Sequence, residues 1–374
     1  MAQPNILLIM VDQFAADCLS SAGHPVLSTP NIDRLGREGI RFENAYTPCP
    51  VCAPARAAMF AGMYPPSCGV VSNWLPFHGD VTLLPERLQH YGYRTGMVGK
   101  LHFVPHMKRF GFEFKKLHDA TYNTYSRSAD FSDYIHWLQE NFYQDDPQKP
   151  IELAEADEEA KIRTGDKYQF LKGTNWRTEE QHETTWTALE SIRFIEEHDQ
   201  SRPFFLFTSF FGPHQPFIAP PPWSERYTAD DVELPEQFHY SMEGSPILQA
   251  RKGKVRKNHL AKWGEREFKE LIASYWCRVE MIDHYVGRIF AALEERGLWE
   301  NTLVAFVSDH GEHLGRYALF GKGDMLDSSA KVPLLVKPAA VGTATAQARG
   351  ETVRDVVNSI DLYGTILDAA GDPH

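Results

Sequence analysis

The chain has 374 residues, 43% hydrophobic and 24% charged, which is ordinary for a globular protein and enough for one large α/β domain or two smaller ones. A net charge of −12 argues against broad binding to nucleic acid or to an anionic membrane surface, so a site for an anion must build its own positive field. Five scattered cysteines, Cys18, Cys49, Cys52, Cys68 and Cys277, do not form a disulfide framework.

Asn5 to Val11 is a continuous apolar run, which predicts a strand buried on both faces, and it ends in Asp12-Gln13. The run is too short for a signal sequence or a membrane span and has no basic segment before it, so a cytoplasmic location is expected. Thr29 to Leu35 starts a short helix that Gly39 closes. Next comes Cys49-Pro50-Val51-Cys52-Ala53-Pro54-Ala55-Arg56. Pro54 suits the first turn of a helix that ends near Gly62, and so places Cys52 at the helix N-terminus. Unpaired N–H groups and the helix dipole favour an anion there, with Arg56 one turn in. Taken alone, Cys52 is a small buried hydrophobe, one half of a Cys49-x-x-Cys52 redox pair, or a nucleophile.

Leu83 to Tyr91 reads as a helix. Gly92 to His102 reads as a turn, a short strand and a polar exit carrying Lys100 and His102. Residues 104–177 form an irregular insertion over the sheet, with an acidic helical segment from Ile151 to Ile162. Thr178-Glu179-Glu180-Gln181 fits a capping box for a helix to Glu197, with Trp186, Leu189, Ile192 and Phe194 toward the core. Pro203 to Phe211 is a strand ending at Gly212-Pro213-His214. Residues 219–263 are Pro-rich and then basic, from Arg251 to Lys257. That stretch is a solvated loop, or a rim that draws in anionic substrates.

Glu265 to Arg296 is a long helix that Gly297 stops. Thr302 to Val307 is a strand ending in Ser308-Asp309-His310-Gly311-Glu312. Lys331 to Lys337 reads as an edge strand broken by Pro333, and Val353 to Ala370 as mainly helical. Helices alternate with apolar strands, so the fold class is α/β. One domain over 1–374 is expected, a doubly wound, mostly parallel sheet flanked by helices.

Ligands of such sheets bind beyond the carboxyl ends of the strands. Four strand ends here carry polar residues: Asp12-Gln13, Lys100 with His102, His214, and Asp309-His310. Asp12, Gln13, Asp309 and His310 offer an oxygen-rich donor set that suits a hard divalent cation. Lys322, between Gly321 and Gly323, is a loop tip or a catalytic group near the metal strand.

These residues resemble the type I sulfatase family of the alkaline phosphatase superfamily. Cys52-Ala53-Pro54-Ala55-Arg56 fits its Cys-x-Pro-x-Arg signature. Gly92 to His102 fits its second signature, and Ser308 to Gly315 its late metal-binding motif. The resemblance implies that a formylglycine-generating enzyme oxidises Cys52 to formylglycine, whose aldehyde hydrates to a gem-diol. One hydroxyl attacks sulfur, and the second later loses a proton and expels sulfate. Position 52 joins the metal ligands, with Ca²⁺ the first choice and Mn²⁺ or Mg²⁺ the alternatives. Arg56 holds the diol, Lys100 takes up charge on the sulfate oxygens, His102 accepts the proton, and His214 and Lys322 serve the leaving oxygen. The substrate implied is an anionic small-molecule or saccharide sulfate ester, and a homo-oligomer stays open. Asp12-Gln13 and Asp309-His310 replace the Asp-Asp and Asp-Asn of many members. They resemble the choline-sulfatase-like and phosphonate monoester hydrolase branches, so phosphonate or phosphodiester hydrolysis is the alternative. A non-catalytic binding protein with an unmodified Cys52 is the second alternative. The family continues past Ala370 into a small antiparallel subdomain, which is expected to be missing or truncated here.

Overall fold

The computed structural model describes residues 3–119, 132–153, 167–172, 177–240, 246, 263–340 and 349–372. The first strand, β1 (Asn5–Asp12), is buried along its whole length. It lies between β5 (Phe204–Pro213) and β6 (Thr302–Ser308), parallel to both. Outward on one side follow β3 (Arg94–Gly99) and β4 (Phe114–Leu117), also parallel. On the other side come β7 (Lys331–Lys337), β2 (Ile40–Tyr46) and β8 (Glu351–Asn358), giving the eight-stranded order β4-β3-β5-β1-β6-β7-β2-β8.

Alternation along β1 divides the interior in two, because successive side chains leave opposite faces. Leu7, Ile9 and Val11 face a core shared with α1 (Pro30–Glu38), α4 (Asp133–Phe142), α5 (Glu183–Glu196) and α6 (Glu265–Glu295). Ile6, Leu8 and Met10 face a core shared with α2 (Cys52–Ala61), α3 (Leu84–His90) and α7 (Asp361–Ala370). The sheet is therefore covered on both faces, as the expected architecture requires. Helix α1 borrows its cap. The Thr29 side chain makes no cap bond; instead the Asp283 carboxylate on α6 accepts from the amides of Asn31 and Ile32 at 3.1 and 2.8 Å.

Several elements differ from their sequence reading. β7 is an interior strand, antiparallel to both β6 and β2. Pro333 is accommodated because β2 is irregular between Phe42 and Ala45, where a ladder bond would have needed the missing N–H. Val353 begins no helix: Glu351–Asn358 is the strand β8, and only Asp361–Ala370 is helical. β2 and β4 were not anticipated, and β4 adds a strand to the sheet edge from within 104–177. The Thr178 box does form, with Thr178 N donating to Gln181 Oε1 at 3.2 Å and Gln181 N donating to Thr178 Oγ1 at 3.4 Å. It closes a turn rather than the helix, which starts at Glu183 with His182 as its cap. Trp186 and Phe194 are buried, Ile192 is half-buried and Leu189 is exposed. Most of Ile151–Ile162, and all of Arg251–Lys257, lie outside the described residues. Among the described residues no helix is long and apolar enough to cross a membrane.

Lys337 ends β7 buried, donating to the carbonyls of Trp299 and Thr302 at 2.8 and 3.0 Å. Burial lowers its pKa from 10.5 to about 8. Between those values the unfolded chain holds a proton that the folded chain has released, so this group makes stability rise with pH across that window. Urea unfolding at a series of pH values should show that rise in the wild type and a flatter profile in Lys337→Met. Equal profiles would remove Lys337 as its source.

Candidate active site

The parallel strands end on one edge of the sheet, and the candidate residues meet there. Asp12 closes β1 and Gln13 follows it at φ 66°. His102 lies beyond β3 at φ 63°. Left-handed backbone is costly for residues with a Cβ, and here it turns the chain sharply at two strand ends. Asp309 and His310 follow β6, and His214 follows β5. Cys52 opens α2, and Pro54 lies in the helix's first turn.

Arg56 is the hub. Its Nε donates to Asp309 Oδ2 at 2.8 Å, and its Nη2 lies 3.5 Å from Asp12 Oδ2. Its Nη1 donates to the Lys100 carbonyl at 2.7 Å and to Ser209 Oγ at 2.9 Å. The Arg56, Asp12 and Asp309 side chains are all fully buried. Lys100 Nζ forms a second ion pair with Asp12 and lies 4.9 Å from the centre of the Phe211 ring. Gly99 lets this region close up: a Cβ there would sit 1.9 Å from the Ser209 carbonyl oxygen.

Cys52 Sγ is 3.1 Å from His310 Nε2 and 3.9 Å from Asp12 Oδ1. Burial pushes the Cys52 thiol up, but Lys100, Lys322 and His310 outweigh it and hold the group well below the usual thiol range. Burial and the Cys52 charge push the Asp12 carboxyl up, while Lys100, His214 and Lys322 pull it further down, so it stays ionised. Burial, with Lys322 close by, lowers His214 to about 4, so its imidazole is neutral at pH 7. His102 is buried beside Cys52, and its ring nitrogens have no hydrogen-bond partner other than the Cys52 side chain.

Donor atoms of Asp12, Cys52, Asp309 and His310 all lie within 4.8 Å of one another, and all four residues are buried. Two carboxylates and an imidazole fit a divalent cation, and the fourth position decides which. A thiolate at 52 makes a zinc-type set, whereas an oxygen there suits a hard cation. Gln13 stands at the edge of this cluster. Its amide nitrogen donates to Gln215 Oε1 at 2.6 Å and to Glu312, and its amide oxygen accepts from Lys322. Cys49 is half-buried, and the chain has no disulfide among its described cysteines.

Sequence reasoning missed four supporting residues. Ser209 ties β5 to Arg56. Asp119 Oδ1 accepts from the amides of Leu101 and His102 at 2.6 and 2.7 Å, fixing the turn that aims His102. Glu312 accepts from the amides of Leu314 and Gly321 at 3.1 and 2.6 Å as well as from Gln13. Asn73 Oδ1 accepts from the amide of Ala53 at 3.0 Å. Only Glu312 stood in a motif already in view; the others are single polar residues with no spacing signal.

Residues 4–372 match the family model described as Sulfatase. The chain is similar to an arylsulfatase of Clostridium perfringens, at 32% identity over 98% of this chain and 75% of that protein. It is similar to a choline-sulfatase of Rhizobium meliloti, at 26% identity over 99% of this chain and 68% of that one. Its fold is like that of a phosphonate monoester hydrolase of Agrobacterium radiobacter, with a TM-score of 0.77 at 24% identity over 99% of this chain and 74% of that chain.

Removing Arg56 leaves two buried carboxylates short of compensation. Arg56→Ala should cost about 3–5 kcal/mol in urea unfolding, the range for breaking a buried ion pair. Arg56→Lys keeps the charge but cannot reach all four partners, so its loss should be intermediate. An Ala variant as stable as the wild type would refute this account of the network.

Proposed function

Because the chain belongs to the sulfatase family, whose members hydrolyse sulfuric esters, we propose that it cleaves a sulfate ester with a formylglycine hydrate formed from Cys52. The observation that carries this reading is the pairing of a buried Cys52 with a His102 whose ring nitrogens have no partner besides the residue 52 side chain. A gem-diol places two oxygens where the thiol has one sulfur, and His102 stands ready for the second.

In this reading one diol oxygen attacks sulfur, and the sulfur–oxygen bond to the leaving group breaks. Lys322, with the neutral His214, stabilises or protonates the leaving oxygen. Lys100 takes up charge on the transferred sulfuryl oxygens, and Arg56 holds the carboxylates in place around the diol. His102 then takes the proton from the second hydroxyl. The carbonyl re-forms, sulfate departs with the bridging oxygen, and water rehydrates the aldehyde. A divalent cation held by Asp12, Gln13, Asp309 and His310, Ca²⁺ before Mn²⁺ or Mg²⁺, would supply Lewis acidity and lower the pKa of the nucleophile. The substrate class is an anionic small-molecule or saccharide sulfate ester, and maturation calls for a formylglycine-generating enzyme. We place this activity in the cytoplasm.

A second reading, phosphonate monoester or phosphodiester hydrolysis, is favoured by the Gln13 and His310 positions, since a tetrahedral phosphoryl group meets the same cations. Peptide mass spectrometry of active, natively produced protein is expected to show CH₂–SH converted to CHO at position 52. Active protein with only the thiol would sink the mechanism and leave the set to zinc. Parallel kinetics on 4-nitrophenyl sulfate and 4-nitrophenyl phenylphosphonate then rank the two activities. A much higher kcat/KM on the phosphonate would make sulfate hydrolysis secondary.

Lys322→Ala should lower kcat by roughly 10²–10⁴-fold on alkyl or sugar sulfates, and far less on 4-nitrophenyl sulfate, whose phenolate leaves unaided. Equal losses across leaving groups would take Lys322 away from the leaving oxygen.

A further inference from the structure

Helix α6 brings two buried polar side chains to the strand ends, Tyr275 and Arg278, which lie three residues apart and so share a face. The Tyr275 hydroxyl donates to the Gln13 carbonyl at 2.7 Å and accepts from the Ala15 amide at 2.8 Å, which holds the turn after β1. Arg278 grips the loop after β5. Its Nη1 donates to the His214 carbonyl at 3.2 Å and to the Pro216 carbonyl at 2.8 Å. Its Nη2 donates at 2.6 Å to Oε1 of Glu183, the first residue of α5. The loop lies so close to the guanidinium that a Cβ on Gly212 would sit 2.4 Å from Nη2.

The Arg278 and Glu183 side chains are both buried. Burial pushes the Glu183 carboxyl up, but His182, Arg278 and Arg177 outweigh it, so it stays ionised. A pair that served only to join α5 to α6 would have no need of the loop carbonyls, yet Arg278 commits one whole nitrogen to them. Between the two gripped carbonyls stands Gln215. Its Oε1 accepts from the Gln13 amide at 2.6 Å, and the Gln13 amide oxygen accepts from Lys322. A continuous set of contacts thus runs from Arg278 through this loop to Lys322. His214 and Lys322, the two groups assigned to the leaving oxygen, are both attached to it.

We propose that Arg278 is a positioning residue for the leaving-group side of the site, fixing the His214 backbone, and with it the imidazole, relative to Lys322. Glu183 in turn aims Arg278. The proposal rests on the role given to His214 above. A planar fork can aim donors at a carboxylate and at two carbonyls together, whereas an ammonium on a flexible stem holds them less firmly. Displacing a proton-transfer group by about 1 Å can cost on the order of 10²-fold, and the loss falls on substrates whose leaving oxygen needs help.

The test measures kcat and KM on a leaving-group series from 4-nitrophenyl sulfate to an alkyl sulfate. It compares wild-type holoenzyme with Arg278→Lys, the double variant Glu183→Gln/Arg278→Met, His214→Ala, and the combination of the double variant with His214→Ala. The double variant leaves neither charge of the pair buried alone; should it fail to fold, Arg278→Lys carries the same comparison. The double variant should lower kcat on the alkyl sulfate roughly 10- to 10²-fold, with little change in KM and far less loss on 4-nitrophenyl sulfate. Arg278→Lys should fall between it and the wild type. Once His214 is Ala, the double substitution should cost almost nothing further, because the group it positions is gone. Equal losses across the series overturn the proposal and leave a purely structural ion pair. Losses that multiply with that of His214→Ala overturn it as well. If His214→Ala alone spares the alkyl sulfate, the role of His214 has failed and this proposal falls with it. If no sulfate ester is turned over, the sulfatase reading has failed, and a crystal structure of the double variant decides the present one: a displaced His214 supports it, and an unmoved loop overturns it.

Discussion

Two carboxylates buried without water must be compensated from within the protein, and Arg56 does most of this here. Asp12 and Asp309 end neighbouring strands, and their side chains are fully buried. One guanidinium reaches both, along with the Lys100 carbonyl and Ser209. A planar fork with five donors can meet that demand, and an ammonium cannot. The positions of β1, β3, β5 and β6 follow from the sheet register. Arg56 locks those four strand ends together from the first turns of α2, and the cluster around Cys52 is organised about that lock.

The same charges explain how a protein of net charge −12 can receive an anion. Arg56, Lys100 and Lys322 converge on a volume only a few side chains wide. Part of their charge is taken up by Asp12, Asp309 and the amide oxygen of Gln13. A divalent cation among those acceptors would tip the balance toward attraction. The global charge thus says little about the field at the site, because over such distances the low-dielectric surroundings favour local charges.

The site was more legible in sequence than the sheet around it. Its residues sit at the ends of long apolar runs, and those runs read as strands because they are buried on both faces. The elements that were misread have mixed environments. In β8 the valines at 353, 356 and 357 follow a helical spacing, yet Val353 is half-buried and Val356 is 76% exposed. As an edge strand, β8 is held by backbone pairing to β2, which leaves no side-chain pattern to read. β2 hides for a related reason, since its irregularity opposite Pro333 breaks the alternation. Pro333 suggested a sheet edge, but the partner strand had adapted to it. Asp119, Ser209 and Asn73 act through one to three hydrogen bonds to backbone or side-chain atoms outside their own segments. Such roles exist only once the chain has folded.

The burial of Cys52 also constrains the order of events in the life of the chain. In the folded protein only 2% of this residue is accessible. Its neighbours Asp309 and His310 arrive from more than 250 residues later in the sequence. Pairing over such separations comes late in folding, because a long loop must be closed first. The conversion of Cys52 proposed above would therefore have its opportunity before β6 docks beside β1. On the proposed mechanism, maturation and folding would compete for the same few residues, and a chain that folded too quickly would seal in an unconverted thiol.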